Sequence, residues 1–275
     1  MNLTSALKLN TGTEIPLFGL GVYIPEEGSD TVTAVRWALE AGYRHIDTAS
    51  FYANEKSVGE AVRKSGVPRE EIFVTTKIWN DDMRQGRQRE AFEESFRALD
   101  LGYIDLYLIH WPVENFLETW KILEEIYASG KVRAVGVSNF SIHHLETLFA
   151  HSSLVPAVNQ FECHPGLSQN ELISFCREKG IVSEAYSPLG SRHSDLWDNT
   201  VLLRIAKDLD RTVAQVMLRW NLQREVVVIP KSARRERILS NSELYDFSLS
   251  EEQMTEIGAL GQNHRFGAHP DTFTF

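Results

Sequence analysis

Apolar residues along the chain follow two different periods. Short runs read as buried strands: PLFGL at 16–20, YRHID at 43–47, IFVTTK at 72–77, DLYLI at 105–109, RAVGV at 133–137, PAVNQ at 156–160, IVSEA at 181–185 and VVVI at 226–229. Between them the spacing turns helical. Val58, Ala61 and Val62 share a face, as do Leu117, Trp120, Leu123 and Tyr127. Thr212 is placed to cap a third stripe of Val213, Val216, Met217 and Trp220. Gly42, Gly66, Gly102, Gly130 and Gly180 stand at or near the helix ends, where a left-handed residue closes a helix. Eight units of strand, loop, helix and Gly within about 250 residues predict an α/β fold, a (β/α)8 TIM barrel. No Ser/Gly/Pro-rich linker divides the series, so residues 1–275 are expected to form one domain. An open doubly wound sheet is the alternative, but its G-x-G-x-x-G signature after the first strand is missing. KLNTGTEIP predicts a short N-terminal β-hairpin around Asn10–Gly12 that closes the barrel bottom. The last stretch, GQNHRFGAHPDTFTF, lacks a helical stripe and reads as either a frayed tail or a cover over a pocket.

Polar residues interrupt this pattern at one rim. Asp47 ends the second strand, Tyr52 follows five residues later, Lys77 ends the third strand and His110 follows the fourth. Each has a packing explanation when taken alone, but all four fall where barrel active sites are built. A Tyr hydroxyl titrates near 10, so proton donation at neutral pH calls for a nearby cation. Lys77 could supply that charge and Asp47 could orient Lys77, partly opposing the downward shift. His110 could hydrogen-bond a substrate carbonyl oxygen. The set suits protonation of a carbonyl that receives a hydride, and it offers no nucleophile for acyl transfer. A Schiff-base aldolase or lyase using Lys77 is the rival enzyme class. Metal catalysis fits less well: there is no H-E-x-x-H, and Asp47 with His110 lacks a third ligand beyond chance candidates such as His45 or Glu55. His45 is expected to be structural, below the site, and Arg44 to contact the helix layer or rim.

Composition narrows the partners. With 43% hydrophobic and 24% charged residues the balance is that of a globular chain, and a net charge of -10 disfavours nonspecific nucleic-acid binding. A local anion site is expected where Lys231, Ser232, Arg235 and Arg237 gather near a helix start after the eighth strand. Two cysteines, Cys163 and Cys176, supply neither a disulfide framework nor a Cys-rich metal site. MNLTSALKLN lacks a signal-peptide pattern and no apolar run is long enough to cross a bilayer, so a cytoplasmic protein without membrane association is expected.

The motifs GYRHIDTASFYANEKSVGEAV, TTK at 75–77, DLYLIHWP, GVSNF, AVNQFECHP, AYSPLG and VVVIPKS occur in the order seen in aldo-keto reductases, and the chain resembles that family from about Ile15 to Asp271. Its length and short loops are similar to the smaller members, the 2,5-diketo-D-gluconate reductases and prostaglandin F synthases. The resemblance implies Tyr52 as general acid, Lys77 and Asp47 as its charged support, His110 as substrate orienter, and NADPH without metal. It implies Ser138, Asn139 and Gln160 at the nicotinamide carboxamide, with Tyr186 stacked on the ring. It further implies Ser187, Leu189 and Ser191 at the pyrophosphate, Lys231, Ser232 and Arg237 at the 2'-phosphate, and Asn241 at adenine. Ser240 stands where many relatives carry Glu, which makes NADH use less predictable, although Lys231 and Arg237 favour NADPH. Tyr23, Trp79 and Trp111 would form an aromatic wall beside Tyr52, suited to a small-molecule carbonyl substrate. The short loop after His110 implies an open pocket, which Phe266, His269 and Phe273 could cover. Family habit suggests a monomer, and some members have noncatalytic roles.

Overall fold

In the computed structural model, which describes residues 1–23, 30–191 and 194–273, each of the eight apolar runs contributes a strand to one parallel sheet. The chain begins with β1 (Ala6–Lys8) and β2 (Glu14–Pro16), an antiparallel hairpin in register Leu7↔Ile15. The barrel strands and helices then alternate: β3 (Leu20–Gly21), α1 (Thr31–Glu40), β4 (His45–Asp47), α2 (Glu55–Arg63), β5 (Phe73–Ile78), α3 (Asn80–Arg84), α4 (Gln88–Leu99), β6 (Ile104–Ile109) and α5 (Phe116–Ala128). They continue as β7 (Val132–Ser138), α6 (Ile142–Phe149), β8 (Val158–Glu162), α7 (Asn170–Glu178), β9 (Val182–Tyr186), α8 (Thr200–Asp208), α9 (Val213–Gln223), β10 (Val227–Val228), α10 (Arg235–Ser242) and α11 (Glu251–Gly258).

Neighbours in the sheet follow chain order from β3 to β10, and two parallel bridges, Phe18↔Val228 and Gly21↔Lys231, join the first barrel strand to the last. The Gly19 N–H donates to Val228 O at 2.9 Å and the Val228 N–H donates to Leu17 O at 3.0 Å, which closes the ring. Strand β3 is shorter than PLFGL suggests because Pro16 already belongs to the hairpin. That hairpin lies at the bottom: the Asn10 amide donates to the carbonyls of Val155 and Pro156, just ahead of β8. All five predicted glycines have positive φ, the widest 94° at Gly42; Gly42, Gly130 and Gly180 directly follow the caps of α1, α5 and α7, whereas α4 is closed by left-handed Asp100 ahead of Gly102.

Burial follows the predicted stripes with two departures, a half-buried Val213 at the start of α9 and a shift on α5. Val58, Ala61, Val62, Val216, Met217 and Trp220 are buried, and Thr212 caps α9 by accepting from the Gln215 N–H. On α5 the buried line runs through Thr119, Trp120, Leu123 and Ile126, leaving Leu117 and Tyr127 half-buried at its edges. Arg44 serves the lower rim, its guanidinium donating to the carbonyls of Leu39 and Tyr43.

The helix layer is tightest where α2 crosses the end of α4. An ideal Cβ on Gly59 would stand 2.0 Å from the Leu99 carbonyl oxygen, a backbone atom that cannot rotate away. Arg63 completes the contact by donating to Leu99 O at 2.6 Å. Gly59→Ala is therefore expected to destabilise the fold by about 1–3 kcal/mol in urea unfolding, through overpacking. A loss below about 0.5 kcal/mol would show that this crossing is slack.

Candidate active site

Strand direction places the predicted residues together at the C-terminal rim. Asp47 is the last residue of β4, Lys77 lies near the end of β5, and His110 directly follows β6. A single 3-10 turn at Ser50–Tyr52 carries Tyr52 over them. Lys77 is fully buried, and its ammonium donates to Asp47 Oδ1 at 2.6 Å and to the Thr48 carbonyl at 2.9 Å. The ammonium lies 5.4 Å from the centre of the Tyr52 ring, and the His110 imidazole meets that ring edge-on at 5.8 Å.

The electrostatics differ from the sequence expectation in one respect. Lys77 does not lower the Tyr52 hydroxyl, because its charge is directed at Asp47. Burial, then the Asp47 carboxylate and then Tyr23 hold Tyr52 well above the usual phenol value. Tyr52 is thus a firmly protonated phenol. Burial, followed by the nearby Lys77 charge, keeps His110 well below its ordinary value, so its imidazole is neutral and offers one N–H.

The other predicted residues line the same rim from β7 to α10, and several bind one another. Asn139, held at φ 65°, donates to His110 O at 3.0 Å and to Ser138 Oγ at 3.1 Å, and accepts from the Tyr186 hydroxyl at 2.8 Å. The Gln160 amide nitrogen donates to Asp47 Oδ2 at 2.7 Å and to Glu184 Oε2 at 2.9 Å. Its hydrogens are therefore committed, leaving its carbonyl oxygen as the group that can meet a carboxamide. In the next loop Ser187 is exposed, Leu189 packs on the core, and the Ser191 carbonyl accepts from Trp197 at 2.9 Å.

Beyond β10, exposed Lys231 pairs its backbone with Gly21, and the buried Ser232 hydroxyl accepts from the Arg234 N–H at 3.1 Å. Arg235 and Arg237 occupy the exposed first turn of α10, while Asn241 is buried in its last turn. Two tethers fix that helix: Tyr43 donates to Ile238 O at 2.7 Å and Gln215 donates to Ser240 O at 3.0 Å. The Ser240 hydroxyl turns back to Arg237 O at 3.4 Å.

Aromatic rings form the mouth. Tyr23 lies 4.9 Å from Tyr52, and Trp79 packs edge-on against His110 at 5.1 Å. Phe51, absent from the sequence reading, stacks on Trp79 at 3.9 Å while remaining 46% exposed. Its signal was its place beside Tyr52 in a short Phe-Tyr pair. The C-terminal segment covers this wall as far as residue 273: Phe273 stacks on Trp111 at 3.9 Å with rings 5° apart. Phe266 packs instead on His164, and His269 stays exposed; Thr274 and Phe275 lie outside the described residues.

Glu162 anchors the segment. Its carboxylate accepts from the Phe266 N–H at 2.7 Å and the Gly267 N–H at 3.0 Å, with His164 also in reach at 3.1 Å. Burial would raise this carboxyl, but those three hydrogen bonds outweigh it and hold it below its ordinary value. Further along, His143, His144 and Asp271 bring their potential ligand atoms within 4.8 Å of one another, the one such group among the described residues. Neither Asp47 nor His110 belongs to it. His144 Nδ1 accepts from the Ser141 N–H at 3.1 Å, so its Nε2 carries hydrogen and faces Asp271, as a clasp on the tail would. A cavity of about 510 Å³ lies beside that clasp, lined by Asn139, Ser141, His143, Gln169 and Arg265, and it does not reach Tyr52.

Comparison with known proteins gives a consistent result. The model of the Aldo/keto reductase family matches residues 21–262. A glyoxal reductase of Bacillus subtilis (strain 168) is 48% identical over 275 residues, spanning 100% of this chain and 99% of that protein. A 9,11-endoperoxide prostaglandin H2 reductase of Trypanosoma cruzi (strain CL Brener) is 48% identical over 98% of this chain and 96% of its own length. Among solved structures, MGS-M4, an aldo-keto reductase enzyme from a Medee basin deep-sea metagenome library, superposes with a TM-score of 0.94 at 45% identity, covering 98% of this chain and 100% of that one.

The buried ion pair makes its own prediction. Lys77→Met leaves Asp47 buried without its cation and is expected to cost about 3–5 kcal/mol in chemical denaturation. The double change Asp47→Asn with Lys77→Met should recover much of that loss. If the double variant were as unstable as the sum of the two single changes, the two groups would not be coupled.

Proposed function

Because the chain belongs to the aldo/keto reductase family, we propose that it reduces small aldehydes, α-dicarbonyls or ketones to alcohols with NADPH as the hydride donor. The observation that carries this reading is the convergence of a protonated Tyr52, a neutral His110 and the buried Lys77–Asp47 pair beneath one aromatic mouth.

The residues at the rim fit a dinucleotide phosphate. The guanidinium groups of Arg234, Arg235 and Arg237 make no hydrogen bond or ion pair with other described residues, and they cluster at the start of α10. With Lys231 and Ser232 they form the polar, cationic end expected for a 2'-phosphate. Ser187, Leu189 and Ser191 line the proposed pyrophosphate path, and Asn241 the adenine end. Ser138, Asn139 and the free carbonyl oxygen of Gln160 would hold the carboxamide, against the ring of Tyr186. Bound in this way, NADPH supplies the hydride. No metal is invoked.

In the proposed mechanism the His110 N–H takes the carbonyl oxygen and sets its angle, while Tyr23, Phe51, Trp79, Trp111 and Phe273 enclose the rest of the substrate. Negative charge then develops on that oxygen. The conjugate base of an alcohol is a far stronger base than a phenolate, close to hydroxide in strength. A Tyr52 hydroxyl held above 10 can therefore still give up its proton to it, and stays protonated until it does. The Lys77 ammonium stands 5.4 Å from the Tyr52 ring, and Asp47 and the Thr48 carbonyl fix it there, so the proton that Tyr52 gives up leaves a group already held in one place. The same contacts weigh against a Schiff-base lysine, since two hydrogens of the Lys77 ammonium are engaged inside the barrel. The chain is read as a monomeric cytoplasmic enzyme with no nucleic-acid or membrane partner.

The direct test is a Trp-fluorescence titration with NADPH and NADH, followed by NADPH oxidation with glyoxal or methylglyoxal. NADPH should bind in a saturable way and more tightly than NADH. No binding of either nucleotide by folded protein would overturn the reading. Tyr52→Phe should lower kcat about 10²–10⁴-fold, the range for loss of a general acid, while NADPH binding persists. Arg237→Ala should weaken NADPH much more than NADH, and equal losses would remove the 2'-phosphate assignment.

A further inference from the structure

One buried acid beneath the site has no part in that mechanism. Gln160 gives one amide hydrogen to Asp47 and the other to Glu184, so a single carboxamide joins two carboxyl groups. Both are enclosed in the barrel, Asp47 at 2% exposure and Glu184 at 0%. Among the described residues only one cation serves them. The Lys77 ammonium contacts Asp47, and nothing equivalent reaches Glu184. The other oxygen of Glu184, Oε1, has no hydrogen-bond partner; His45 Nε2 lies 3.6 Å away and is itself 3.2 Å from Thr75 Oγ1.

Charge counting settles which acid keeps its proton. Lys77 neutralises one carboxylate, and a second anion in this water-poor interior would be uncompensated. Asp47 touches the ammonium, so Asp47 carries the negative charge and Glu184 the proton. The facing groups fit that assignment. From β4 come His45 and Asp47, from β5 Lys77, from β8 the uncharged Gln160, and β10 adds Val227 in register with Glu184. His45 cannot act as a counter-cation, since burial drives it down to about 3.

We propose that Glu184 is a positioning residue that, as a neutral acid, lets Gln160 hold Asp47 on Lys77, and that its ionisation draws Gln160 away and loosens the support beneath Tyr52. Burial and then the Asp47 charge push the Glu184 carboxyl up to about 8, so the change falls in the mildly alkaline range. Because the two acids interact, the titration belongs to the pair, with Asp47 the member held ionised by its ammonium. Gln160 feels the change directly. An anionic Glu184 accepts its hydrogen bond more strongly than a neutral acid does, in competition with Asp47. The kinetic consequence rests on the reductase reading above, whereas the protonation of Glu184 does not.

Two substitutions separate positioning from simple filling. Glu184→Gln keeps an oxygen for Gln160 and mimics the neutral acid, whereas Glu184→Leu removes the acceptor. In the parent, kcat for NADPH-dependent carbonyl reduction should fall as pH rises through about 8. Glu184→Gln should remain within several-fold of the parent at neutral pH and lose that fall, while Glu184→Leu should be slower throughout. A parent profile that is flat across this range, or a fall that survives unchanged in Glu184→Gln, overturns the proposal.

Stability supplies a second readout. The folded carboxyl binds its proton more tightly than the unfolded one, so its contribution is complete below the unfolded value of 4.5 and is lost as pH rises through about 8. Glu184→Gln should therefore gain stability relative to the parent between those limits, and a pH-independent difference overturns the proposal. Should that variant fail to fold, infrared titration of the parent decides instead. A protonated-carboxyl band that bleaches through about 8 is expected, and its absence refutes the neutral acid. If the parent oxidises no NADPH with any carbonyl, the reductase reading fails and the stability and infrared measurements alone decide the protonation of Glu184.

Discussion

A lysine ammonium sealed inside a barrel cannot stand alone, and the Lys77–Asp47 pair is the constraint around which this rim is arranged. Burial lifts the Asp47 carboxyl above its ordinary value, and Lys77 and Gln160 offset only part of that rise. The pair is therefore held at the expense of neighbouring groups: the Thr48 carbonyl faces the ammonium, Gln160 turns its nitrogen inward, and Glu184 stays protonated. Tyr52 sits at the end of this series. It experiences the Asp47 charge more than the Lys77 charge, and remains a phenol.

The same economy of hydrogen bonds organises the proposed nicotinamide end. Asn139 satisfies the His110 carbonyl, the Ser138 hydroxyl and the Tyr186 hydroxyl at once, and its positive φ is what lets one side chain reach all three. Such a rim is rigid before any ligand arrives, which lowers the entropy lost on ordering it. The α10 end is different in kind. Its arginines are exposed, and the helix beneath them is fixed from below by Tyr43 and Gln215. One end of the proposed dinucleotide groove is thus pre-bonded and the other is held only by its scaffold.

Much of this was legible in the sequence because strand and helix periods differ and strand ends define one face of the barrel. All eight apolar runs became strands, and Asp47, Lys77 and His110 reached one rim because each ends or follows one. Burial on α5 moved by a fraction of a turn, since a wide stripe does not fix which edge positions are covered. The direction of the Tyr52 shift could not be read, because it depends on which neighbour the Lys77 ammonium touches. Nor could the double duty of Gln160 or the neutrality of Glu184, which arise from contacts 113 and 24 residues apart. The tail left two outcomes open for the same reason: its anchor, Glu162, sits a hundred residues earlier.

That anchor has a further consequence. Glu162 grips the tail through the main-chain N–H groups of Phe266 and Gly267, which any residue other than proline supplies. Space is what restricts the choice at 267, where an added Cβ would lie 3.1 Å from the Glu162 carboxylate. Past that point the tail has a second hold, Asp271 on the His143 and His144 clasp, and residues of the segment from Ala268 to Phe273 that belong to neither anchor can change while the mooring stays intact. The barrel thereby carries a replaceable lining, and repertoire can be altered at the mouth without touching the buried charges on which the floor depends.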